Sequence, residues 1–120
     1  MKTPIILSYL RKLHIYRNSI KPSHKNFNLF SFEDIIYNYL ILKLNPKKRK
    51  KAYEIIKKYK NEILKQTIKL FYPDSKKLNK IETICKKALK KGYIYRYTPK
   101  IVISFILTKA KDILNEKSLL

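Results

Sequence analysis

The only glycine of this 120-residue chain, Gly92, closes a lysine-rich stretch of helical periodicity and so fixes where a helix must end. Glycine readily adopts the left-handed backbone conformation that follows a helix C-cap. Lysines in the last turn suit the negative end of the helix dipole. The sequence thus predicts a helix from Lys76 to Lys91 and an abrupt change of structure after it.

The segment after Gly92 is compatible with two structures. Residues 101–107 are β-branched and aromatic, which favours a strand that pairs with residues 93–95 in a hairpin around a loop at residues 96–100. The alternative is a helix with Thr98 as its N-cap and Pro99 as its first residue, running to the C-terminus. Propensity favours the hairpin, which is the first prediction.

The charge of the chain indicates its partner. Lysine and arginine total 29 residues against 8 acidic residues, a net charge of +21. Such an excess destabilises the compact state unless a polyanion neutralises it, so we expect a nucleic-acid partner. Nearly all of the cations are lysines, which act as point charges where arginine reads guanine bidentately. This composition favours contacts to the phosphate backbone.

Helix start signals divide the rest of the chain. Thr3-Pro4 opens an N-terminal helix predicted for residues 1–17, and residues 18–30 lack periodicity and are predicted to be a linker or arm. The main domain is predicted to span residues 31–120. Within it, Ser31 caps a core helix. Asn45-Pro46 ends that helix and starts a long one that reaches about Phe71.

Two basic surfaces are candidate contacts for nucleic acid. The predicted helix 76–91 has one apolar face, and its other face carries Asn79 and Thr83, whose side chains are able to touch base edges. The second surface is the basic run that opens the long helix. For both, the alternative is a solvated face, and the basic run is also compatible with a targeting signal. The candidate residues are Lys76, Lys77, Asn79, Lys80, Thr83, Lys86 and Lys87 in the first surface, and Lys47, Lys48 and Arg49 in the second.

Two short motifs carry a resemblance to a known family. Residues 90–94 read Lys-Lys-Gly-Tyr-Ile, and residues 107–114 read Leu-Thr-Lys-Ala-Lys-Asp-Ile-Leu. Together they resemble the end of a winged-helix DNA-binding domain. The resemblance implies that helix 76–91 enters the major groove and that Arg96 and Lys100, in the wing, reach phosphate or the minor groove. The last helix, from Lys109, often contributes to dimerisation in such regulators, so a homodimer is an open possibility.

Other features of the sequence fit this family less well. A winged helix has two short helices before its recognition helix, whereas residues 46–71 form one long pattern, unless it breaks near Lys60-Asn61. Residues 84–110 also look like part of a cyclin-type repeat of general transcription factor B. That weaker resemblance supports the helical alternative for residues 98–120.

Several classes of function have no support in the sequence. One cysteine, Cys85, allows neither an internal disulfide nor a cysteine-rich zinc site, and His14 and His24 lack a zinc-ligand pattern. We therefore expect no metal and no cofactor. The acidic residues are scattered, no Ser/His/Asp or Cys/His set is visible, and one glycine leaves no phosphate-cradling loop, so we expect no enzyme.

These features combine into one expectation for fold and function. We expect a mostly helical α+β fold, a winged helix-turn-helix with an extra N-terminal helix, with an all-α bundle as the alternative. The N-terminal apolar run is too short for a signal peptide or membrane span, which predicts a soluble intracellular protein. The expected function is a transcriptional regulator that binds duplex DNA in preference to RNA. The alternative is a structural nucleoprotein of a ribosome, chromatin or a virion that binds the backbone without sequence preference.

Overall fold

The computed structural model describes residues 28–74 and 77–120. The elements in chain order are strand β1 (Leu29–Ser31), helix α1 (Phe32–Tyr39), a 3-10 turn (Ile41–Lys43), helix α2 (Pro46–Phe71), helix α3 (Lys80–Lys90), strand β2 (Tyr93–Tyr95) and helix α4 (Lys100–Glu116). The helix predicted for residues 1–17 and most of the arm predicted for residues 18–30 lie outside the described residues. The end of that arm, from Leu29, belongs to β1.

Helix α1 begins where the sequence predicts it. The Ser31 side chain accepts a hydrogen bond from the Asp34 backbone N–H at 3.1 Å, which satisfies one of the unpaired donors of the first turn. Phe32, Ile35 and Ile36 are buried, so α1 is the predicted core helix. It ends at Tyr39, and the chain tightens into the 3-10 turn before Asn45.

Helix α2 is one continuous helix of 26 residues, as its unbroken periodicity predicts. Asn45 caps its N-terminus by accepting a hydrogen bond from the Lys47 backbone N–H, and Pro46 occupies the first turn, where its missing N–H costs nothing. No break occurs near Lys60-Asn61. Lys60 instead forms an ion pair with Glu33 of α1, with its Nζ 2.7 Å from Oε1, which joins the two helices.

Helix α3 starts later than predicted and ends as predicted. Its first residue is Lys80 rather than Lys76, because Asn79 caps the helix. Its C-cap is Lys91, and Gly92 follows with a φ of +89°. This is the left-handed conformation that the glycine in the sequence predicted. The predicted role of Gly92 as a helix stop is therefore confirmed.

The predicted hairpin between residues 93–95 and residues 101–107 is wrong. Strand β2 forms, but its partner is β1, and the two strands are antiparallel with Leu29 opposite Tyr95 and Ser31 opposite Tyr93. The local sequence did not reveal this partner, since β1 lies in a stretch without strand-like alternation. The predicted wing at residues 96–100 is instead the connection from β2 to α4.

Residues 101–107 belong to α4, which corresponds to the helical alternative and begins at Lys100 rather than Pro99 or Lys109. The β propensity of these residues is overridden by tertiary burial. Buried side chains recur at helical spacing along the whole element, which a strand ending at Leu107 would not explain. They are Val102, Ile103, Ile106, Ala110 and Leu114.

The core lies where α2 meets the other helices. The most extensive packing of α2 is with α4, and α1 and α3 also pack against it, while α3 contacts β2. Ile56 and Ile63 of α2 and Ile106 of α4 are almost completely buried there. The described residues are thus mostly helical with one two-stranded antiparallel sheet, which confirms the coarse α+β prediction and departs from an all-α bundle by that sheet.

Candidate nucleic-acid interface

Helix α3 presents the lysine face that its sequence predicts. Cys85, Ala88 and Leu89 are buried on the inner side of the helix. The candidate residues Lys80 and Lys87 are exposed on α3, and Lys77 is exposed just before it. Lys76 lies outside the described residues. This part of the candidate surface therefore offers at least three lysines to solvent, together with Lys90, which the sequence analysis did not select.

The two candidates for base contacts both make local hydrogen bonds that hold the start of α3. The Asn79 side-chain oxygen accepts from the Glu82 backbone N–H at 2.8 Å, and the Glu82 carboxylate accepts from the Asn79 backbone N–H at 3.0 Å. Thr83 donates its hydroxyl to the Asn79 carbonyl at 2.8 Å. An asparagine that reads adenine uses both its oxygen and its nitrogen, so base reading by Asn79 would compete with this cap.

Lys86 is the least available lysine of α3. It forms an ion pair with Asp74, and its side chain is only 12% exposed, whereas that of Asp74 is 93% exposed. The hydrogen bond and the positive charge of Lys86 lower the pKa of Asp74. The carboxylate therefore neutralises a cation that the sequence alone assigned to nucleic acid.

The basic run at the start of α2 contains one structural arginine among solvated lysines. Arg49 donates from Nη2 to the Leu42 carbonyl at 3.0 Å and from Nε to the Leu44 carbonyl at 3.2 Å, which satisfies acceptors at the end of the 3-10 turn. The candidates Lys47 and Lys48 are exposed. The predicted phosphate contacts of this run are thus available from its lysines, and Arg49 is committed to the fold.

Arg96 and Lys100 flank the turn between β2 and α4. The guanidinium of Arg96 lies over the ring of Tyr97, 5.0 Å from its centroid, and its Nη1 donates to Asn28 Oδ1 at 3.2 Å. Lys100 is exposed as the first residue of α4, whose first turn contains no acidic residue. Two predicted cations therefore lie four positions apart, one on each side of the turn that follows the sheet.

A groove of about 750 Å³ runs between the second half of α2 and α3. Leu64, Ile68 and Leu89 contribute apolar surface to it, and its lining also includes the acids Glu62 and Asp74. The lysines that line it are Lys65, Lys69, Lys86 and Lys90. Sequence reasoning missed this surface. The signal was present as lysine pairs four residues apart on each helix, but only the packing of α3 on α2 brings the pairs together.

A buried polar cluster lies behind the outer face of α3. The Thr98 hydroxyl donates to the Tyr95 carbonyl at 2.6 Å, and its Oγ1 lies 3.8 Å from the Cys85 sulfur. Burial raises the pKa of the Cys85 thiol, with the Thr98 hydrogen bond offsetting part of the effect. A protonated thiol is a poor nucleophile and a poor metal ligand, so this environment favours a packing role for Cys85.

No family model, curated protein or solved structure matches this chain. Its function is therefore inferred from its own residues. Among residues 28–74 and 77–120, no group of three or more histidine, cysteine or acidic side chains is close enough to hold a metal ion. His14 and His24 lie outside that range. Within it, no helix has the length and apolarity needed to cross a membrane.

Proposed function

We propose that this protein is a non-enzymatic nucleic-acid-binding protein whose exposed lysines on α2 and α3 bind the phosphate backbone. One observation carries the proposal. The described residues contain only two ion pairs, Lys60 with Glu33 and Lys86 with Asp74, so most of the lysines have no carboxylate within 4 Å. Phosphates of a nucleic acid would replace the missing counter-charges, with release of condensed cations.

In its most specific form, the proposal is a winged-helix transcriptional regulator that binds duplex DNA. The order α2, connection through residues 72–79, α3 and β2 supports it, because helix-turn-helix proteins insert the second of two consecutive helices into the major groove. The absence of a strand at residues 101–107 weakens it, since a wing needs that strand. A helix that begins directly after Pro99 fits the cyclin-type resemblance of residues 84–110 better.

The second candidate is a structural nucleoprotein that neutralises the backbone without reading sequence. The local hydrogen bonds of Asn79 and Thr83 favour it, because both candidate base readers already make hydrogen bonds within the first turn of α3. A surface in which lysines outnumber arginines points the same way.

The test is binding to a random duplex DNA library and to matched RNA across a salt titration, with enriched sequences read out. A recovered palindromic motif supports a dimeric regulator. Tight, steeply salt-dependent binding without a motif supports the structural nucleoprotein. Absence of binding to both polymers rejects nucleic-acid binding altogether.

Four variants separate sequence reading from backbone binding. If α3 reads bases, Lys80→Ala and Thr83→Ala change the preferred site. Lys47→Ala and Lys100→Ala weaken all sequences alike and reduce the salt slope by about one unit for each phosphate that the variant no longer neutralises. If all four variants behave identically, base reading is absent and the structural candidate remains.

A further inference from the structure

The turn after β2 carries an exposed aromatic ring with a cation stacked on it. Tyr97 is among the exposed large apolar residues of the described part of the chain, with 44% of its surface accessible. Its ring lies 5.7 Å from the ring of Tyr95 at an angle of 59°, and the Arg96 guanidinium lies 5.0 Å from its centroid. We name the three residues Tyr95, Arg96 and Tyr97 the aromatic platform.

The platform is held in place by Asn28, the residue that precedes the other strand of the sheet. The Arg96 backbone N–H donates to the Asn28 carbonyl at 2.7 Å, and the Arg96 guanidinium donates to the Asn28 side chain at 3.2 Å. Two hydrogen bonds restrict the motion of Arg96 before a ligand binds, which lowers the entropy cost of binding. The platform is therefore organised before any ligand arrives.

The charge of the platform is not balanced within the described part of the chain. Of residues 28–74 and 77–120, no carboxylate lies within 4 Å of the Arg96 guanidinium. Lys100 is exposed three residues beyond Tyr97. An exposed ring that carries one cation with no acid paired to it, and that has a second cation nearby in the sequence, suits a ligand that combines a flat π surface with negative charge.

We propose that the aromatic platform binds an unpaired nucleobase, stacked on the exposed part of the Tyr97 ring, with the adjoining phosphate near Arg96. The proposal rests on the proposed nucleic-acid binding and adds a ligand class to it. Every base has a π face, but stacking in a duplex hides it, so the platform requires a single-stranded extension, bulge or loop. Arginine beside the ring adds a cation–π contribution.

The experiment compares three dye-labelled probes by fluorescence anisotropy. One is a blunt DNA duplex, the second carries a short single-stranded thymidine extension, and the third carries the same extension with abasic sugars. The last two have equal charge, so the difference between them reports base contacts alone. We expect the wild-type protein to bind the thymidine probe on the order of tenfold more tightly than the abasic probe.

Two substitutions assign that difference to the platform. Tyr97→Leu keeps an apolar side chain but removes the ring, and it should abolish the difference between the thymidine and abasic probes while leaving blunt-duplex binding unchanged. Tyr97→Phe keeps the ring and should retain the difference. Because Tyr97 is at the surface, both variants should fold, which circular dichroism checks.

The possible outcomes separate this proposal from the one on which it rests. Equal binding of wild type to the thymidine and abasic probes overturns the platform and leaves nucleic-acid binding intact. A loss of affinity in Tyr97→Leu that is the same for all three probes also overturns it, since the effect is then not one of stacking. If no probe binds, nucleic-acid binding itself fails, and the platform fails with it.

Discussion

Gly92 is the residue whose backbone conformation most restricts its replacement. Its φ is +89°, and a Cβ at this position would lie 2.8 Å from Lys60 Nζ. The lysine tip can move, but the backbone strain of an L residue remains. We expect Gly92→Ala to lower the free energy of unfolding by about 1–3 kcal/mol, measured by urea denaturation.

Ser118 provides the matched control for this substitution. It is the non-glycine residue with a positive φ, 59°, among the described residues. A change to glycine there relieves strain in the folded state. It also makes the unfolded chain more flexible, which lowers the free energy of unfolding by roughly 0.5–1 kcal/mol. Ser118→Gly should therefore leave stability unchanged or slightly raise it. If the two substitutions lower stability equally, backbone strain does not explain the requirement for glycine.

The buried thiol of Cys85 makes stability depend on pH. Burial raises its pKa in the folded state above the ordinary value of 9.0. Below pH 8 the thiol is protonated in both the folded and the unfolded state, so it does not make the stability change with pH. At higher pH it ionises more readily in the unfolded chain than in the folded one, so the free energy of unfolding falls as pH rises.

Comparison with Cys85→Ala isolates this effect, because the titration of the lysines is common to both proteins. We expect the stability advantage of the wild type over the variant to shrink between pH 8 and pH 10. The measurement is urea denaturation at both pH values. A difference that does not change with pH would mean that the folded thiol ionises as readily as the unfolded one.

At the scale of elements, the cap of α3 has a structural role that can be separated from binding. Asn79→Ala removes the acceptor for the Glu82 N–H and should cost about 1 kcal/mol of stability. Asn79→Ser retains a capping acceptor and should cost less. Thermal unfolding followed by circular dichroism measures both changes.

The same two variants test whether Asn79 also reads bases. If the residue only caps α3, both folded variants should bind the selected DNA as tightly as the wild type. A loss of sequence preference in both variants, with backbone affinity intact, would contradict that view and restore Asn79 as a base reader.

The elements that were predictable from sequence are those defined by local chemistry. Asn45-Pro46 and the apolar stripe after it fixed the start and length of α2, and Gly92 fixed the end of α3. The β-branched side chains at the start of α4 favour a strand there, although the buried positions of the helix continue with helical spacing beyond Leu107. Strand β1 was missed because its partner is distant in the sequence and three residues carry too little periodicity.

The candidate site divides in the same way. Exposure of Lys47 and Lys80 follows from helical periodicity, and the structure confirms it. The ion pair of Lys86 with Asp74 and the carbonyl contacts of Arg49 depend on how neighbouring segments meet. No local pattern encodes such contacts, so sequence alone treated these residues as equivalent to their neighbours.

At the scale of the whole molecule, the net charge of +21 should oppose folding at low ionic strength. Raising sodium chloride from about 10 mM to about 150 mM shortens the screening length from about 30 Å to about 8 Å. We expect the melting temperature to rise by a few degrees, since about 1 kcal/mol shifts the midpoint of a domain of roughly 100 residues by about 4–8 °C. Differential scanning calorimetry measures this shift.

A neutral osmolyte at matched osmolality is the control for solvent effects of the salt. It should not reproduce the dependence on ionic strength. A melting temperature that falls with salt would mean that the ion pairs of Lys60 and Lys86 outweigh the repulsion among the remaining lysines.

The side-chain hydrogen bond between Arg96 and Asn28 joins residues 68 positions apart, and this separation affects the order of folding. Closing so long a loop is entropically costly, so contacts of this kind tend to form late, after local helices have assembled. Native-state hydrogen exchange at the Arg96 amide, which donates to Asn28, reports when the two strands separate. We expect this amide to exchange through a partial opening in which the helices persist. A chain in that open state keeps its lysine faces but loses the fixed orientation of Arg96. Binding to a polyanion and selection of an unpaired base would therefore arise at different stages of folding.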